Sequence, residues 1–375
     1  MLSRVYDNLE EYLKPGKVLI IYGPRQAGKT TLLNNFLSKT SYKYKLDSGD
    51  NIRTQQILSS SDFEQILSYV EGYQLLVIDE AQNIPEIGRA LKIIVDQMRN
   101  LRVIVTGSSS FKLSHSAGEP LTGRKKTLVL YPISHTELAK DKSQFELKSQ
   151  LEDFLIYGMY PEVLTTKNKT EKVELLNELV NSYLLKDILT LFNLKKPALI
   201  LDLLKLLAFQ IGSQVSINEL ATNLRVDFKT IVSYLDILEQ AFVIKKIGSY
   251  SRNLRNELTK SAKYYFLDLG IRNGIINHFN KLKDRDDIGK LWENFLYIER
   301  VKFLNYKRKY KSIYFWRTYS GGEIDFIEEH NGKTEAYEAK WKSNKILKAP
   351  PEWKRAYPKA KYKVIDLNNY LDFIL

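Results

Sequence analysis

A short glycine-bounded segment near the start of the chain has the residue types that bind phosphate. Its eight residues match the pattern G-x-x-x-x-G-K-[ST] and are Gly23, Pro24, Arg25, Gln26, Ala27, Gly28, Lys29 and Thr30. The glycines let the backbone curl so that successive N–H groups face an anion, and Lys29 would reach the β- and γ-phosphates of a nucleotide. Thr30 supplies a hydroxyl for Mg²⁺, and Thr31 completes the nucleotide-binding set. The segment therefore predicts a loop that binds ATP and Mg²⁺.

Two acidic residues follow the apolar run QLLVI further along the chain. Asp79 would bind magnesium through water, and Glu80 would polarise the attacking water. Alone, two acids after an apolar strand are usually solvated strand-end residues, but together with the loop they predict nucleotide binding. The run LRVIVTGSSS predicts another strand, at whose end Thr106 or Ser108 could sense the γ-phosphate or simply cap the next segment.

A second group of candidate catalytic residues lies near the end of the chain. Asp325 lies in one predicted strand, and Glu338 and Lys340 lie in the next, with Asn331-Gly332 as a tight turn between them. Because side chains alternate along a strand, Glu338 and Lys340 share a face, and the hairpin brings Asp325 beside them. Carboxylates hold Mg²⁺, and a metal can activate water for phosphodiester cleavage. Alternating acids and lysines also decorate many exposed hairpins, so both interpretations remain open.

Three kinds of element are needed to position these residues. The first third of the chain predicts an α/β fold with a parallel sheet, because buried-type strands alternate with amphipathic helices. Residues 136–198 have a helical pattern. Residues 199–272 then predict three helices, the last two with Ser216 and Asp227 as N-caps, followed by two strands around a basic loop. That order is typical of a winged helix-turn-helix.

The basic loop predicts contact with the phosphates of DNA. Its lysines and arginines face a single acid, Glu257, and are Lys245, Lys246, Arg252, Arg255, Lys260 and Lys263. The preceding helix has no arginine placed to read guanine, so we expect backbone binding rather than sequence reading. The alternative is that this module only joins its neighbours.

Composition limits the classes of function. The chain has 375 residues, with 57 Lys+Arg against 44 Asp+Glu and a net charge of +13, which favours a polyanionic partner, nucleic acid before an anionic membrane. It has no cysteine, which excludes disulfides, zinc–thiolate sites and thiol nucleophiles. Its four histidines are scattered along the sequence. No signal peptide and no apolar run of ~18 residues occur, so we expect a soluble, cytoplasmic protein that does not enter a membrane.

The chain resembles a known family in the order of its motifs. GPRQAGKTTLL, LLVIDEAQ, VIVTGSSS, LTGRKKTLVLYPIS and YGMYPEVL occur in an order similar to prokaryotic AAA-type ATPases of the AAA_14/DUF4143 family, which are fused to a domain of unknown function. The resemblance implies a P-loop AAA-type core over residues 1–135, a helical lid over 136–198, a winged helix over 199–272 and a nuclease-like domain over 273–375. It also implies a catalytic arginine at Arg124, acting in cis or on a neighbouring copy, which allows self-association. An arginine on a basic strand edge is the alternative.

The C-terminal residues resemble the PD-(D/E)xK nuclease core, a restriction-endonuclease-like α/β domain. In that resemblance Asp325 and Glu338 hold Mg²⁺, Lys340 positions water, and Glu293 on the preceding helix joins the metal site. Ile324 stands where the pattern has proline. The sequence thus predicts an ATP-hydrolysing protein that binds nucleic acid, DNA in the first place, and that could cleave it. The rival interpretations are a nucleotide-controlled switch or scaffold and a transcription regulator.

Overall fold

The computed structural model describes residues 2–108, 121–184, 188, 197–251, 262–318, 320–342 and 348–375. It contains two compact units. The first comprises Met1–Pro132 with Gln240–Phe242, and the second comprises Ile133–Glu239 with Val243–Leu375.

Unit 1 is built on a five-stranded, wholly parallel sheet. Its strands are β1 (Val18–Tyr22), β2 (Tyr44–Ser48), β3 (Leu75–Asp79), β4 (Arg102–Gly107) and β5 (Lys125–Val129), in the spatial order β2-β3-β4-β1-β5. Its helices are α1 (Lys29–Leu37), α2 (Ile52–Ser59), α3 (Phe63–Val70) and α4 (Ile87–Gln97), with short 3₁₀ turns at Leu9–Tyr12 and Ala81–Asn83. The predicted α/β class with a parallel sheet core is confirmed.

The three central strands of unit 1 are apolar because helices cover both faces of such a sheet. Every residue of β1 is buried, and so are the first four of β3 and the last five of β4. The sequence did not predict α2, because only Thr54 and Leu58 of that helix are buried and its apolar stripe is weak. Parallel strands end at one edge of the sheet, so the segments after β1, β3 and β4 lie side by side.

Unit 2 begins with helices and ends in a mixed sheet. The helices are α5 (His135–Leu138), α6 (Gln144–Ser149), α7 (Leu151–Tyr157), α8 (Pro161–Thr165), α9 (Lys169–Glu178), α10 (Pro197–Phe209), α11 (Ile217–Leu224), α12 (Phe228–Gln240), α13 (Leu269–Ile275), α14 (Ile288–Tyr306), α15 (Pro351–Ala356) and α16 (Tyr370–Ile374). A π-helical turn, Leu179–Leu184, follows α9, and a 3₁₀ turn, Leu282–Asp284, precedes α14.

The sheet of unit 2 has seven strands and includes parts of two predicted domains. The strands are β6 (Gln214–Val215), β7 (Ile244–Ser249), β8 (Ala262–Phe266), β9 (Ser312–Arg317), β10 (Glu323–His330), β11 (Lys333–Ala339) and β12 (Lys361–Ile365), in the order β12-β11-β10-β9-β7-β8-β6. The link is a parallel pairing of β7 with β9, in which Gly248 lies opposite Tyr314 and Ser249 opposite Phe315. One sheet therefore runs across the predicted boundary at residue 272.

The C-terminal hairpin follows the sequence prediction closely. β10 and β11 are antiparallel, and the turn between them has positive φ at both Asn331 (50°) and Gly332 (72°). Two adjacent left-handed residues give the backbone twist that two-residue hairpins require, and Asn-Gly tolerates it best. The sequence did not predict β12, which pairs in parallel with β11.

The described part of the chain contains no helix that is both long enough and apolar enough to cross a membrane.

Candidate functional site

The segment after β1 curls tightly and opens directly into α1. Gly28, the N-cap of α1, has φ 94°, a conformation that side chains other than glycine rarely adopt. Gly23 lies so close to Leu130, the residue that follows β5, that a Cβ atom would stand 2.0 Å from the Leu130 carbonyl oxygen. Both glycines of the predicted phosphate loop are therefore required by the backbone itself.

Lys29 lies inside this loop rather than pointing into solvent. Its side chain is buried, and its Nζ donates hydrogen bonds of 2.9 Å to the carbonyls of Gly23 and of Pro24. These neutral carbonyls hold an ammonium at the N-terminus of α1, where backbone N–H groups also favour an anion. A bound phosphate chain would offer the ammonium charged oxygens in place of these carbonyls, so the arrangement fits such a ligand.

The remaining loop residues line the segment in different environments. Ala27 is fully buried, Arg25 is half-buried, and Gln26 is exposed with φ 56°. Thr30 and Thr31, in the first turn of α1, are both exposed. Exposure of the two hydroxyls leaves them open to a ligand.

The two predicted magnesium-binding residues of unit 1 contact each other. The Thr30 hydroxyl donates a hydrogen bond of 2.7 Å to Oδ2 of Asp79, at the end of β3. The other oxygen, Oδ1, accepts from the backbone N–H of Glu80 at 3.2 Å and from the hydroxyl of Thr106. The residues present fit a magnesium ion beside a nucleotide, because a hydroxyl and a carboxylate oxygen converge at the mouth of the loop.

Thr106 thus has a partner that the sequence did not indicate. Its buried hydroxyl also accepts the Glu80 N–H at 3.1 Å, so it links Asp79 to Glu80. In this structure Thr106 orients the acidic pair. Its predicted contact with a γ-phosphate stays a prediction.

Gln82 is the residue of this site that the sequence analysis missed. Its Nε2 donates to the Glu80 carboxylate and, at 3.3 Å, to the hydroxyl of Ser108. Glu80 itself has φ 51°, and a Cβ on Gly49 would stand 2.2 Å from its carbonyl oxygen. The only signal for Gln82 was its position two residues after Glu80.

Arg124 lies at the N-terminal ends of the parallel strands, whereas the loop lies at their C-terminal ends. Its carbonyl accepts from the N–H of Val18, the first residue of β1, whereas the loop follows the last. Five strand residues span roughly 15 Å. Its Nε donates to Oδ1 of Asp96 at 2.5 Å. A catalytic role of Arg124 in cis is therefore wrong for this geometry, and a role on a neighbouring copy stays a prediction.

The predicted C-terminal residues converge in unit 2 with two further charged side chains. Asp325 on β10, Glu338 on β11 and Glu293 on α14 were predicted, and Glu323 on β10 joins them; we call these four residues the acidic cluster. A bulge of β10 against β9, between Ile324 and Ile327, redirects the strand at Asp325.

Lys263, on β8, lies within the acidic cluster. Its Nζ is 2.8 Å from Oε1 of Glu323, 2.9 Å from Oε1 of Glu293 and 3.9 Å from Oδ1 of Asp325. Its side chain is 1% exposed, so the prediction that it contacts phosphate from the wing is wrong. Burial alone would lower the pKa of Lys263, but the surrounding carboxylates, Glu293 first, outweigh that effect and raise it.

Asp325 and Lys340 are held by other partners. The backbone N–H of Ala339 donates to Oδ2 of Asp325 at 2.8 Å, while Lys340 Nζ is 2.8 Å from Oε1 of Glu338. Burial first, and then the charges of Glu293 and Glu338, raise the pKa of Asp325 well above its ordinary value. Asp325 therefore holds its proton more tightly than an exposed aspartate does.

The residues of the acidic cluster do not fit a magnesium ion. Among the residues that the structure describes, no group of three or more histidine, aspartate or glutamate side chains is arranged to hold a metal. An ammonium, that of Lys263, stands between Glu293 and Glu323 instead.

The elements predicted for the winged helix occur in the predicted order. Ser216 accepts from the N–H of Glu219 at 3.3 Å, and Asp227 accepts from the N–H of Thr230 at 2.8 Å, as expected of N-caps. Lys245 pairs with Glu239 at 2.6 Å. Lys246, also on β7, is exposed. Four further predicted wing residues lie outside the described residues and are Arg252, Arg255, Glu257 and Lys260.

A basic cleft opens at the turn end of the C-terminal hairpin, at the opposite end from the acidic cluster. It has a volume of about 940 Å³, and its lining includes exposed Lys333, Lys359 and Lys361 beside half-buried Tyr250 and Tyr357. None of the three lysines forms an ion pair with any residue in the described ranges.

The two acids that line the basic cleft, Glu328 and Glu335, form ion pairs with basic side chains. Lys311 Nζ lies 2.7 Å from Glu328 and 3.0 Å from Glu335, and Arg300 also pairs with Glu328. The exposed lysines therefore give the cleft a net positive charge, which favours an anionic ligand.

Comparison with known families agrees with the geometry of unit 1. An AAA domain matches residues 15–139, a domain of unknown function (DUF8612) matches 148–282, and another (DUF4143) matches 288–371. The first match covers the loop, the acidic pair and the whole parallel sheet.

Relatives extend over most of the chain. An uncharacterised protein of Mycobacterium tuberculosis is 26% identical over 335 residues, which is 88% of this chain and 72% of the relative. One from Haemophilus influenzae is 28% identical, covering 87% and 84%. One from Methanocaldococcus jannaschii is 23% identical, covering 78% and 68%.

Among solved structures, a chain from a study of DNA unwinding at forked dsDNA by two coordinating Pif1 helicases has 13% identity and a TM-score of 0.24, covering 48% of this chain and 52% of that one. That score is too low to indicate a shared fold. The family matches show that the chain contains a P-loop AAA ATPase-like domain followed, toward its C-terminus, by a DUF4143 domain.

Proposed function

We propose that the protein hydrolyses ATP at the loop of unit 1 and binds nucleic acid along unit 2. The observation that carries the first part is the convergence of Lys29, Thr30, Asp79 and Glu80 at one edge of the parallel sheet. It is supported by the AAA-domain match over the same residues.

The residues of unit 1 have separate tasks in this proposal. The loop N–H groups and Lys29 bind and orient the phosphates, and they are preorganised because the loop already surrounds an ammonium. Thr30 and Asp79 would hold Mg²⁺, which supplies positive charge to the phosphate oxygens when bound. Glu80 polarises the attacking water, and Gln82 with Thr106 fixes where Glu80 lies.

The experiment for this part compares two lysines of one segment. Lys29→Ala should lower ATP turnover by more than ~100-fold, because charge stabilisation at the phosphates is lost. Lys39→Ala, an exposed lysine just beyond the same helix, should leave turnover within about twofold. Undiminished turnover by a folded Lys29→Ala protein would refute the assignment.

The nucleic-acid part rests on the basic cleft of unit 2. Three exposed lysines without acidic partners can bind phosphates, and Tyr250 and Tyr357 offer ring faces within the same cleft. The predicted winged helix would add backbone contacts through the loop after β7. We take DNA as the first substrate to test and place the protein in the cytoplasm on the basis of its sequence.

The rival functions differ in measurable ways. A switch or scaffold would turn over ATP slowly while ATP changes its affinity for a partner. A transcription regulator would prefer one sequence over bulk DNA at fixed salt, whereas backbone binding would not. Cleavage is not part of the proposal, because the acidic cluster does not fit a metal.

A further inference from the structure

Four carboxylates crowd together in unit 2, and such a group requires a cation. Asp325 and Glu293 are buried, and Glu323 and Glu338 are partly buried beside them. Carboxylates that are removed from water repel one another unless positive charge compensates. The acidic cluster therefore needs a cation at its centre, and the sequence suggested a divalent metal for that place.

The structure places the ammonium of Lys263 there. Its distances of 2.8 and 2.9 Å to Glu323 and Glu293 are those of charge-assisted hydrogen bonds. The lysine comes from β8, one carboxylate from β10 and the other from α14, so the ammonium joins three elements. Because its side chain is 1% exposed, it is enclosed by the cluster.

Some oxygens of the acidic cluster already accept hydrogen bonds from other protein groups. Oε1 of Glu293 also accepts from the hydroxyl of Tyr265 at 2.5 Å, and Oδ2 of Asp325 accepts the N–H of Ala339. One buried atom, Oε2 of Glu338, makes no hydrogen bond. Magnesium demands near-octahedral oxygen ligands at about 2.0–2.1 Å, and the Lys263 ammonium, 2.8 Å from Glu323 and 2.9 Å from Glu293, occupies the space in which those oxygens would have to converge.

We propose that Lys263 is a resident cation that takes the place of the divalent metal in the acidic cluster. The cluster then ties β8, β10 and α14 together by internal charge pairing, and it is not a centre of phosphodiester cleavage. Lys263 acts here as a positioning residue, holding carboxylates in place without metal. The inference concerns unit 2 alone and does not depend on ATP hydrolysis.

Binding of Mn²⁺ to the full-length, nucleotide-free protein tests the proposal, with free Mn²⁺ measured by electron paramagnetic resonance. Wild type and Asp325→Asn should bind equal amounts of Mn²⁺. Lys263→Met should bind one Mn²⁺ more than wild type, with an affinity of the acidic cluster for Mn²⁺ at least ~10-fold above that of the wild-type cluster, because the carboxylates lose their cation. The double variant Lys263→Met with Asp325→Asn should not bind this additional ion.

Lys302 provides a matched control. It is a second buried lysine of unit 2, but it pairs with a single carboxylate, Glu299, at 2.8 Å. Lys302→Met should therefore gain no Mn²⁺. A folded Lys263→Met protein that gains none would overturn the proposal.

The comparison of wild type with Asp325→Asn is decisive even when Lys263→Met fails to fold. Equal Mn²⁺ binding by these two proteins supports a resident ammonium. Loss of one bound Mn²⁺ on Asp325→Asn shows that the wild-type cluster holds a metal, and the proposal is then wrong.

Discussion

The hydroxyl of Thr30 and the carboxylate of Asp79 are joined by a hydrogen bond of 2.7 Å, although they lie on different elements of unit 1. One begins α1 and the other ends β3. Because parallel strands end at one edge, the sheet brings the phosphate loop and the acidic pair together before any nucleotide binds.

Glu80→Gln should separate nucleotide binding from hydrolysis. The neutral amide keeps the size of the side chain but cannot polarise water, so turnover should fall by ~10²–10⁴-fold while ATP affinity changes little. Single-turnover hydrolysis and equilibrium binding of a fluorescent ATP analogue measure the two effects. Gln82→Ala, which removes only a partner of Glu80, should cost less turnover. A Glu80→Gln protein with wild-type turnover would remove Glu80 from the mechanism.

Gly23→Ala should weaken ATP binding by displacing the loop. The added Cβ would stand 2.0 Å from the Leu130 carbonyl oxygen, so either the loop or the strand end must move. Overpacking of this kind costs about 1–3 kcal/mol, which thermal unfolding of unit 1 and ATP titration would both detect. Gly248→Ala is a suitable control, because its Cβ would meet nothing within 4 Å. Equal ATP affinity of Gly23→Ala and wild type would contradict the close approach.

Reversing two charges in the basic cleft should weaken nucleic-acid binding. Lys359→Glu with Lys361→Glu should lower affinity for duplex DNA by at least ~10-fold at low salt and reduce the salt dependence by about one phosphate contact per lysine. Fluorescence anisotropy over a salt series measures both quantities. Lys283→Glu changes the charge of another exposed lysine of unit 2 and should have a smaller effect. If Lys283→Glu weakens DNA binding as much as the double cleft variant does, the net charge of the protein and not the cleft governs binding.

The buried pair of Glu299 and Lys302 should make the stability of unit 2 depend on acid. Burial alone would raise the pKa of Glu299, but the Lys302 ammonium, followed by His135, lowers it from 4.5 to about 2. A depressed carboxyl pKa stabilises the fold fully above pH 4.5, and this stabilisation of roughly 3 kcal/mol is lost as pH falls toward 2.

Urea unfolding between pH 6 and 3 tests this dependence. All four tryptophans lie between positions 292 and 353, so tryptophan fluorescence reports on unit 2 alone. Glu299→Gln should lower stability at pH 6 and flatten its decline with acid, whereas exposed Glu174→Gln should change neither. An unchanged acid profile in Glu299→Gln would show that another group controls the transition.

Motifs whose chemistry is local could be predicted from sequence, and partners that depend on tertiary contacts could not. The loop, the acidic pair and the Asn331-Gly332 turn follow from short patterns with fixed backbone needs. Lys263 was misplaced because a lysine beside basic residues is usually exposed, and its carboxylates come from elements distant in sequence. The resemblance implied a catalytic role of Arg124 in cis or on a neighbouring copy, but Arg124 precedes a parallel strand and therefore lies at the N-terminal ends of the strands, away from the loop of its own chain.

The pairing of β7 with β9 limits how this protein can be truncated and which of its parts can move independently. A fragment that starts at residue 273 would leave β9 with an open edge, and one that ends at residue 272 would do the same for β7. Unpaired edges of this kind invite aggregation. Since β7 and β8, the strands that follow the helices α11 and α12, share one hydrogen-bonded sheet with the C-terminal hairpin, we expect β7, β8 and the hairpin to move as one rigid body and not as two hinged parts.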